Sequence, residues 1–235
     1  MMEILLAILV VLLSYVLGSI PFGLLIVRFK TGRDLRTVES GRTGGTNALR
    51  AAGLWAGLLT ALLDILKGAS VVWLARVIYP QAHLVHALAP IAAILGHNYS
   101  IFLPERDEHG RIVRLRGGAG GAPTVGGALG LWAPSLLYVL PLGALVFFTF
   151  GYASVTTISV ALFATIVFAV RAYQGMPWVD VLYGMAAEVL LIWALRPNIR
   201  KLVQGKERVV NISLHGRLRA KREKETAAEA VEEME

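Results

Sequence analysis

The sequence predicts an all-α integral membrane protein with about seven transmembrane helices, one of them short or partial. Three observations predict this class. The 235 residues are 56% hydrophobic, with a mean hydropathy of +0.62, which is too apolar for an ordinary soluble domain. Apolar runs long enough to cross a bilayer recur from one end of the chain to the other. Of the 23 Lys and Arg residues, 20 lie in residues 28–50, 104–120 and 196–235.

The predicted spans follow the apolar runs in chain order. They cover residues 4–27 (broken near Gly18 and Pro21), 54–78, 84–103, 122–133, 135–150, 153–170 and 178–195. The run at 122–133 is too short to cross a membrane alone, because a span needs about 20 residues. The first run has neither a basic segment before it nor a small-residue cleavage site, so it is interpreted as a retained span rather than a signal peptide.

Alternation of these spans places the three basic segments on one face of the membrane. An excess of Lys and Arg marks cytoplasmic loops, so this face is predicted to be cytoplasmic and the N-terminus to lie outside, with the spans surrounded by membrane lipid. A nucleic-acid-binding patch would also be basic, but no recognisable nucleic-acid module accompanies the charges. Residues 1–212 are predicted to form the membrane domain. Residues 213–235 are predicted to be a charged cytoplasmic tail, either a solvated helix or disordered.

The first basic loop, "SGRTGGTNALR" at 40–50, has the composition of an anion site. Its candidate ligand-binding residues are Ser40, Gly41, Arg42, Gly44, Thr46, Asn47 and Arg50. The hydroxyl and amide groups are hydrogen-bond donors, the glycines allow close approach of backbone N–H groups, and arginine suits phosphate. Thr46 or Asn47 could also cap a helix starting near Ala48. The alternative is a flexible loop whose arginines only set topology.

The second basic loop, "RLRGGAGGAPT" at 114–124, repeats this composition before a predicted helix start. Its candidates are Arg116, Gly117, Gly118, Gly120 and Gly121. The alternative is a linker with basic flanks. Two loops of this kind on one face favour the anion-site interpretation of each.

A few polar residues lie inside or at the ends of the spans. Asp64 and Lys67 are three residues apart, so they can face each other on one helix side, and a structural ion pair is favoured over a functional one. His97 can bind phosphate or hold a loop, with the structural role slightly favoured. Arg196 and Asn198 follow the last span, where the alternative is a charged stop-transfer end.

Several kinds of chemistry are absent from the sequence. It contains no cysteine, which excludes disulfides, thiolate metal sites and cysteine nucleophiles. It also lacks the G-x-S-x-G and H-E-x-x-H patterns and the P-loop. An enzyme built from these residues would rely on binding and positioning rather than on a protein nucleophile.

Six motifs together resemble the PlsY family of membrane acyl-phosphate:glycerol-3-phosphate acyltransferases, over residues from about 5 to 210. They are "GSIPFG" (18–23), "SGRTGGTNALRAAG" (40–53), "DILKG" (64–68), "LGHNYSIF" (95–102), "GGAGGAPT" (117–124) and "NIRKLVQGKE" (198–207). The resemblance implies a seven-helix enzyme that transfers an acyl chain from acyl phosphate to the 1-hydroxyl of glycerol 3-phosphate. The implied products are lysophosphatidic acid and inorganic phosphate. The resemblance also implies that no metal or cofactor is needed and that the enzyme lies in a bacterial inner membrane.

The resemblance also implies roles for individual residues. Ser40 and Arg50 would bind phosphate, residues 117–121 would cradle the other phosphate, and Asn198 would orient the glycerol. The donor phosphate would assist removal of the hydroxyl proton.

Four positions depart from the family pattern. Arg42 and Gly45 replace Asn and Ala of the first loop, Ala119 stands where the second loop has Lys, and Leu195 falls where the family has His. Compensation for the missing Lys is expected from Arg42 or Arg116. Two alternatives are a non-catalytic or repurposed relative that binds lipid or organic phosphates, and a small anion transporter, which would need a polar path through the spans.

Overall fold

The computed structural model describes residues 2–232, which form a bundle of α-helices with one β-hairpin. The helices are α1 (Met2–Ser19), α2 (Phe22–Thr31), α3 (Gly45–Ala52), α4 (Leu54–Ile78), α5 (His83–Asn98), α6 (Gly121–Leu131), α7 (Leu136–Phe150), α8 (Ala153–Tyr173), α9 (Val179–Val203) and α10 (Leu214–Glu232). The strands are β1 (Pro104–Arg106) and β2 (Ile112–Leu115). Short 3-10 turns occupy Leu35–Thr37 and Ala133–Ser135.

The outer surface of the bundle is apolar, as a membrane protein requires. Four helical segments within residues 2–232 are long and apolar enough to cross a membrane: Met2–Thr31, Leu54–Ile78, Ala133–Phe150 and Ala153–Tyr173. Large hydrophobic side chains along them point outward, including Leu12 at 58% exposure and Leu145 at 63%. Water would disfavour such a surface and lipid would not, so the fold is that of a helical integral membrane protein.

The predicted break in the first span is confirmed at Pro21. Helix α1 ends at Ser19 and α2 begins at Phe22, because proline has no backbone N–H to continue the ladder. The carbonyl of Ile20 at this break accepts a hydrogen bond from Lys67 Nζ at 2.9 Å. A lysine of α4 therefore satisfies the backbone that the break exposes.

Small residues let the central helices touch. A Cβ atom on Gly68 of α4 would lie 2.4 Å from the Pro123 carbonyl oxygen, and one on Gly126 of α6 would lie 2.0 Å from that of Ile65. No larger residue fits either position without moving a backbone. Close approach through glycine is the usual way in which helices associate where water provides no driving force. This contact fixes α6, and with it the second glycine loop at its N-terminus.

The structure corrects the predicted boundaries at four places. Residues 104–115, expected to be loop, form an antiparallel hairpin in which Glu105 pairs with Arg114. Helix α5 ends at Asn98 rather than at 103, and α9 continues past 195 to Val203. Helix α3 begins at Gly45, with Gly44 as its N-cap and no side-chain cap, so the expected capping of a helix near Ala48 by Thr46 or Asn47 is wrong.

The tail is helical over its described part. Helix α10 begins directly after Ser213, whose Oγ accepts a hydrogen bond from Gly216 N–H at 3.0 Å. A serine in this position is a favoured N-cap. Residues 233–235 of the predicted tail lie outside the described residues, and the division into a membrane domain and a separate tail stays a prediction.

Candidate active site

One end of the bundle, called here the loop face, carries residues 32–53, 99–120 and 204–213. A cavity of about 640 Å³ opens there between the first loop, the start of α6, and helices α4, α7, α8 and α9. The predicted site residues that line it are Ser40, Arg42, Gly44, Thr46, Asn47, Arg50, Asp64, His97, Gly120, Gly121 and Asn198. The structure thus brings together most of the predicted site residues, from five separate segments of the chain.

The cavity has one polar, cationic wall and one apolar wall. Its apolar wall is built mainly from α4 and α7, and includes Leu54, Leu58, Ala61, Ile65, Leu140, Ala144, Phe147 and Phe148. The polar lining includes Arg42, Arg50 and the N–H groups after Gly120, together with the carboxylates of Glu39, Asp64 and Glu207. An amphiphilic ligand with an anionic head and a hydrocarbon chain matches this division.

Asn47 shapes the first loop from beneath. It is buried, and its Nδ2 donates to the carbonyl oxygens of Leu35 at 3.2 Å, Val38 at 3.0 Å and Arg42 at 2.8 Å. The side-chain nitrogen therefore folds the loop back onto the start of α3. A ligand contact through Asn47 stays a prediction.

Arg42 joins the first loop to two other segments. Its guanidinium donates to the carbonyl oxygens of Gly118 at 2.8 Å and Ala194 at 2.5 Å, and to Asn198 Oδ1 at 3.4 Å. Burial lowers the pKa of the Arg42 guanidinium, yet arginine remains protonated in proteins. Within residues 2–232 no carboxylate lies in salt-bridge range of it. The hydrogen-bond partners of this buried positive charge are therefore neutral oxygens, and the Glu207 carboxylate acts on it only from beyond salt-bridge range, an arrangement suited to an anionic ligand.

Arg50 is the second cation of the cavity. It lies on α3, donates through Nη2 to the Arg208 carbonyl oxygen at 3.4 Å, and has a pKa lowered by burial. No carboxylate of the described chain lies in salt-bridge range of it. The two guanidinium groups thus provide positive charge on either side of the first loop.

The glycines of the second loop divide into two pairs with different surroundings. Gly117 and Gly118 pack on α5, where Cβ atoms would lie 2.2 Å from the His97 carbonyl oxygen and 1.9 Å from His97 Nε2. Gly118 N–H also donates to the His97 carbonyl at 2.8 Å. Gly120 and Gly121 line the cavity instead. Gly120, at φ +89°, is the N-cap of α6 and makes no side-chain cap, so the first N–H groups of α6 are available to an anion.

Arg116 lies behind the loops and outside the set of cavity-lining residues. It donates through Nη2 to Glu105 Oε1 at 2.9 Å and through Nη1 to the Arg36 carbonyl at 3.2 Å. Arg116 and Arg114 lower the pKa of the Glu105 carboxyl to about 2. Gly41 lies against the same guanidinium, since a Cβ there would be 3.1 Å from Arg116 Nη1. The geometry makes Arg42, rather than Arg116, the cation placed beside Ala119.

The remaining predicted residues belong to two groups. Asp64 and Lys67 form the expected intramembrane pair at 2.8 Å, and Lys67 Nζ also lies 3.0 Å from His97 Nδ1. All three side chains are buried, so the pair holds α4 against α5 at the base of the cavity. Arg196 instead lies 3.5 Å over the Trp193 ring and is not among the described residues that line the cavity.

Sequence reasoning missed Glu207, which is buried on the segment after α9. It accepts hydrogen bonds from Ser154 N–H at 3.3 Å, from Ser154 Oγ, and from Asn198 Nδ2 at 3.4 Å. Next to it, Arg208 pairs with Glu39 of the first loop. A "GKER" segment gives no periodic signal, so only the fold reveals that it ties α8, α9 and the first loop together.

The described residues contain no cluster of three or more His, Asp or Glu that could hold a metal ion.

The chain is similar to known glycerol-3-phosphate acyltransferases over most of its length. The family model described as Glycerol-3-phosphate acyltransferase matches residues 8–205. A glycerol-3-phosphate acyltransferase 3 of Dehalococcoides mccartyi is 36% identical over 219 residues, covering 86% of this chain and 95% of that protein. A glycerol-3-phosphate acyltransferase of Rubrobacter xylanophilus is 37% identical over 203 residues, covering 86% and 94%.

The fold of the chain is also similar to two solved structures. The crystal structure of PlsY (YgiH), an integral membrane glycerol 3-phosphate acyltransferase, in its glycerol 3-phosphate form superimposes with a TM-score of 0.74 at 30% identity, covering 87% of this chain and 95% of that one. Its lysophosphatidic acid form gives a TM-score of 0.71 at 27% identity. The chain belongs to the glycerol-3-phosphate acyltransferase family.

Proposed function

We propose that this protein is a glycerol-3-phosphate acyltransferase that uses acyl phosphate as its donor. It transfers the acyl group to the 1-hydroxyl of glycerol 3-phosphate, giving 1-acylglycerol 3-phosphate and inorganic phosphate for phospholipid synthesis. The observation that carries the proposal is that one cavity is lined both by arginines and glycines of the two loops and by apolar side chains of α4 and α7. Two anionic heads and one hydrocarbon chain require such a cavity. The relatives named above favour this activity over a non-catalytic or transport role.

The residues divide between the two phosphates. Arg42 and the first N–H groups of α6, after Gly120, bind the donor phosphate. Arg50 and Ser40 bind the phosphate of glycerol 3-phosphate, and Asn198 orients its glycerol. Two observations support these roles: the residues line one cavity, and neither arginine has a carboxylate in salt-bridge range within the described chain.

The chemistry needs positioning more than a protein nucleophile. The 1-hydroxyl oxygen attacks the acyl carbon, a new C–O ester bond forms, and the bond between the acyl carbon and the phosphate oxygen breaks. The hydroxyl proton passes to the departing phosphate, so atoms and charge balance without a protein base. Arg42 and the α6 N-terminus stabilise the charge that develops on the leaving phosphate.

The membrane arrangement is part of the proposal. We place the loop face in the cytoplasm of a bacterium, with seven crossings and the N-terminus outside, because 20 of 23 Lys and Arg residues lie in the segments of this face and the tail. Glycerol 3-phosphate then reaches the cavity from water, while the acyl chain remains at membrane depth among lipids.

A phosphate-release assay tests the activity. Purified protein in detergent receives acyl phosphate and glycerol 3-phosphate, and release that depends on both substrates is expected. Arg50→Ala should lower kcat/KM by roughly 10- to 150-fold, since it removes a charge-assisted contact of about 1.5 to 3 kcal/mol. Arg33→Ala, which removes an exposed arginine outside the cavity, is the matched control. Absence of release from folded wild-type protein contradicts the activity, and full activity of Arg50→Ala contradicts the assigned role.

A further inference from the structure

A further cavity of about 570 Å³ adjoins the candidate active site on the loop face. It is enclosed by α3, residues 208–212 and the first half of α10. The family match ends at residue 205, so α10 and the segment leading into it lie beyond the matched region. This chain therefore adds a wall that the family match does not include.

Five charged side chains line the cavity. Arg50, Arg208 and Arg219 line it together with Glu39 and Glu223. Arg208 pairs with Glu39, and Arg219 Nε pairs with Glu223 Oε1 at 2.9 Å. Arg50 has no such partner in the described chain, and it lines both this cavity and the candidate active site. The two cavities thus meet at an arginine assigned to the glycerol 3-phosphate head.

Helix α10 is held in place by hydrogen bonds. The buried Ser213 caps its N-terminus through Gly216 N–H, and Val210 N–H donates to the Gly151 carbonyl at 2.8 Å. Tyr152 Oη and His215 Nε2 lie 3.3 Å apart, which ties the first turn of α10 to the start of α8. The charged side chains of α10 therefore have a defined position in the lining of this cavity.

We propose that this cavity, called here the vestibule, admits glycerol 3-phosphate to Arg50, and that Arg219 and Glu223 of α10 set its affinity for the phosphate. The inference rests on the proposed function and deepens it. The ligand is a small, water-soluble phosphate dianion, because the vestibule faces water and is lined by charged groups. The acyl chain of the donor matches the α4 and α7 wall of the other cavity instead. Inorganic phosphate leaving the site shares this chemistry, so the test separates the two.

Two pairs of matched variants isolate the position of the charge. Arg219→Glu and Lys221→Glu each change the charge by the same amount and each break one i,i+4 ion pair of α10, yet only Arg219 lines the vestibule. Glu223→Lys and Glu225→Lys are matched in the same way, with only Glu223 in the lining. General effects of charge or helix stability are therefore equal within each pair.

The expected result is a change specific to the lining residue. Titration calorimetry with glycerol 3-phosphate alone, at low ionic strength, should show Kd raised about fivefold by Arg219→Glu and lowered by Glu223→Lys. Lys221→Glu and Glu225→Lys should stay within about twofold of wild type, since screening weakens charges that lie farther away. The differences should shrink as salt is added. In turnover, KM for glycerol 3-phosphate should follow Kd, while KM for acyl phosphate stays constant.

Equal Kd values for Arg219→Glu and Lys221→Glu, together with equal values for Glu223→Lys and Glu225→Lys, overturn the vestibule. A change in inhibition by inorganic phosphate without any change in Kd for glycerol 3-phosphate also overturns it, and makes the cavity a product exit. These outcomes are judged from the Kd for glycerol 3-phosphate and from inhibition by inorganic phosphate. They are distinct from failure of the proposed function, which is absence of phosphate release by wild-type protein.

Discussion

Replacing Arg42 by alanine tests whether this residue supplies the cation for the donor phosphate. The guanidinium lies in the cavity, donates to the Gly118 and Ala194 carbonyl oxygens, and has no carboxylate of residues 2–232 within salt-bridge range. A charge-assisted hydrogen bond to phosphate contributes about 1.5 to 3 kcal/mol. Its loss should therefore lower kcat/KM by roughly 10- to 150-fold, at about 1.4 kcal/mol for each factor of ten.

The same substitution also affects the fold, and the assay must separate the two effects. Two partly buried carbonyls lose a donor, each at a cost of about 1 to 3 kcal/mol, so the melting temperature in detergent should fall as well. Arg42→Lys keeps the charge but loses the planar fork that reaches several acceptors at once. It should recover part of the activity and little of the stability.

Restoring a cation on the second loop completes the test. Gly118, whose carbonyl accepts from Arg42, immediately precedes Ala119. Ala119→Lys in the Arg42→Ala background should therefore raise kcat/KM at least about tenfold, with no comparable gain in melting temperature. The assay is phosphate release at saturating glycerol 3-phosphate with acyl phosphate varied. A kcat/KM for Arg42→Ala within twofold of wild type, in folded protein, would refute the assigned role.

Three further predictions follow from the surroundings of single residues. Gly118→Ala should lower both the melting temperature and the activity, because the added Cβ would lie 1.9 Å from His97 Nε2. A Cβ at Gly44 would have no heavy atom within 4 Å, so Gly44→Ala should keep its melting temperature within a few degrees. Gly44→Ala should still lose activity, since a bound ligand would meet the new methyl group. Thermal unfolding and phosphate release, measured together, check both variants, and an active Gly44→Ala would contradict close ligand approach there. Lys67→Met should lower the free energy of unfolding by about 3 to 5 kcal/mol, because the Asp64 carboxylate then remains buried without its partner. The double variant Lys67→Met/Asp64→Asn should recover most of this loss, and denaturant unfolding measures both variants. The Glu105 carboxyl, whose pKa Arg116 and Arg114 lower to about 2, adds stability that is fully present above its ordinary pKa of 4.5 and is lost as pH falls from there through about 2. The pH profile of kcat/KM between 5 and 8 should therefore be the same in Glu105→Gln as in wild type, and loss of a titration step in that range would contradict the pairing with Arg116.

The membrane part of the fold was predictable because its signals are local and strong. Hydrophobic runs gave α4 at 54–78 with its observed ends, and proline chemistry gave the break at Pro21. The hairpin at 104–115 was missed because its strands are short, charged and exposed, so no alternation marks a buried face. The extension of α9 past 195 was missed because hydropathy reports where a helix leaves the apolar layer, not where its backbone hydrogen bonds end.

The sequence predicted most of the residues that form the site but not the role of each one. Both loops were predicted to be anion sites from their glycine and arginine content, and most of the named residues line one cavity. The sequence could not separate Gly117 and Gly118, which pack on α5, from Gly120 and Gly121, which line the cavity, because glycine meets both needs. Glu207 escaped for a related reason. Its partners, Ser154 and Asn198, lie on two other helices, and contacts at such sequence separation leave no local pattern.

The position of Arg42 connects the departures from the family pattern to the geometry. A lysine at 119 would carry its charge on the second loop alone, whereas the Arg42 guanidinium reaches its position from the first loop and is held by the Gly118 carbonyl and by α9. The cation is therefore correctly placed only when the first loop, the second loop and α9 are docked together. The segment around Glu207 and Arg208 holds the first loop and α9 in that arrangement from outside. In this chain, the charge proposed to bind the donor phosphate and the contact that joins the two loops to α9 belong to one side chain, so loss of loop docking and loss of donor binding should occur together.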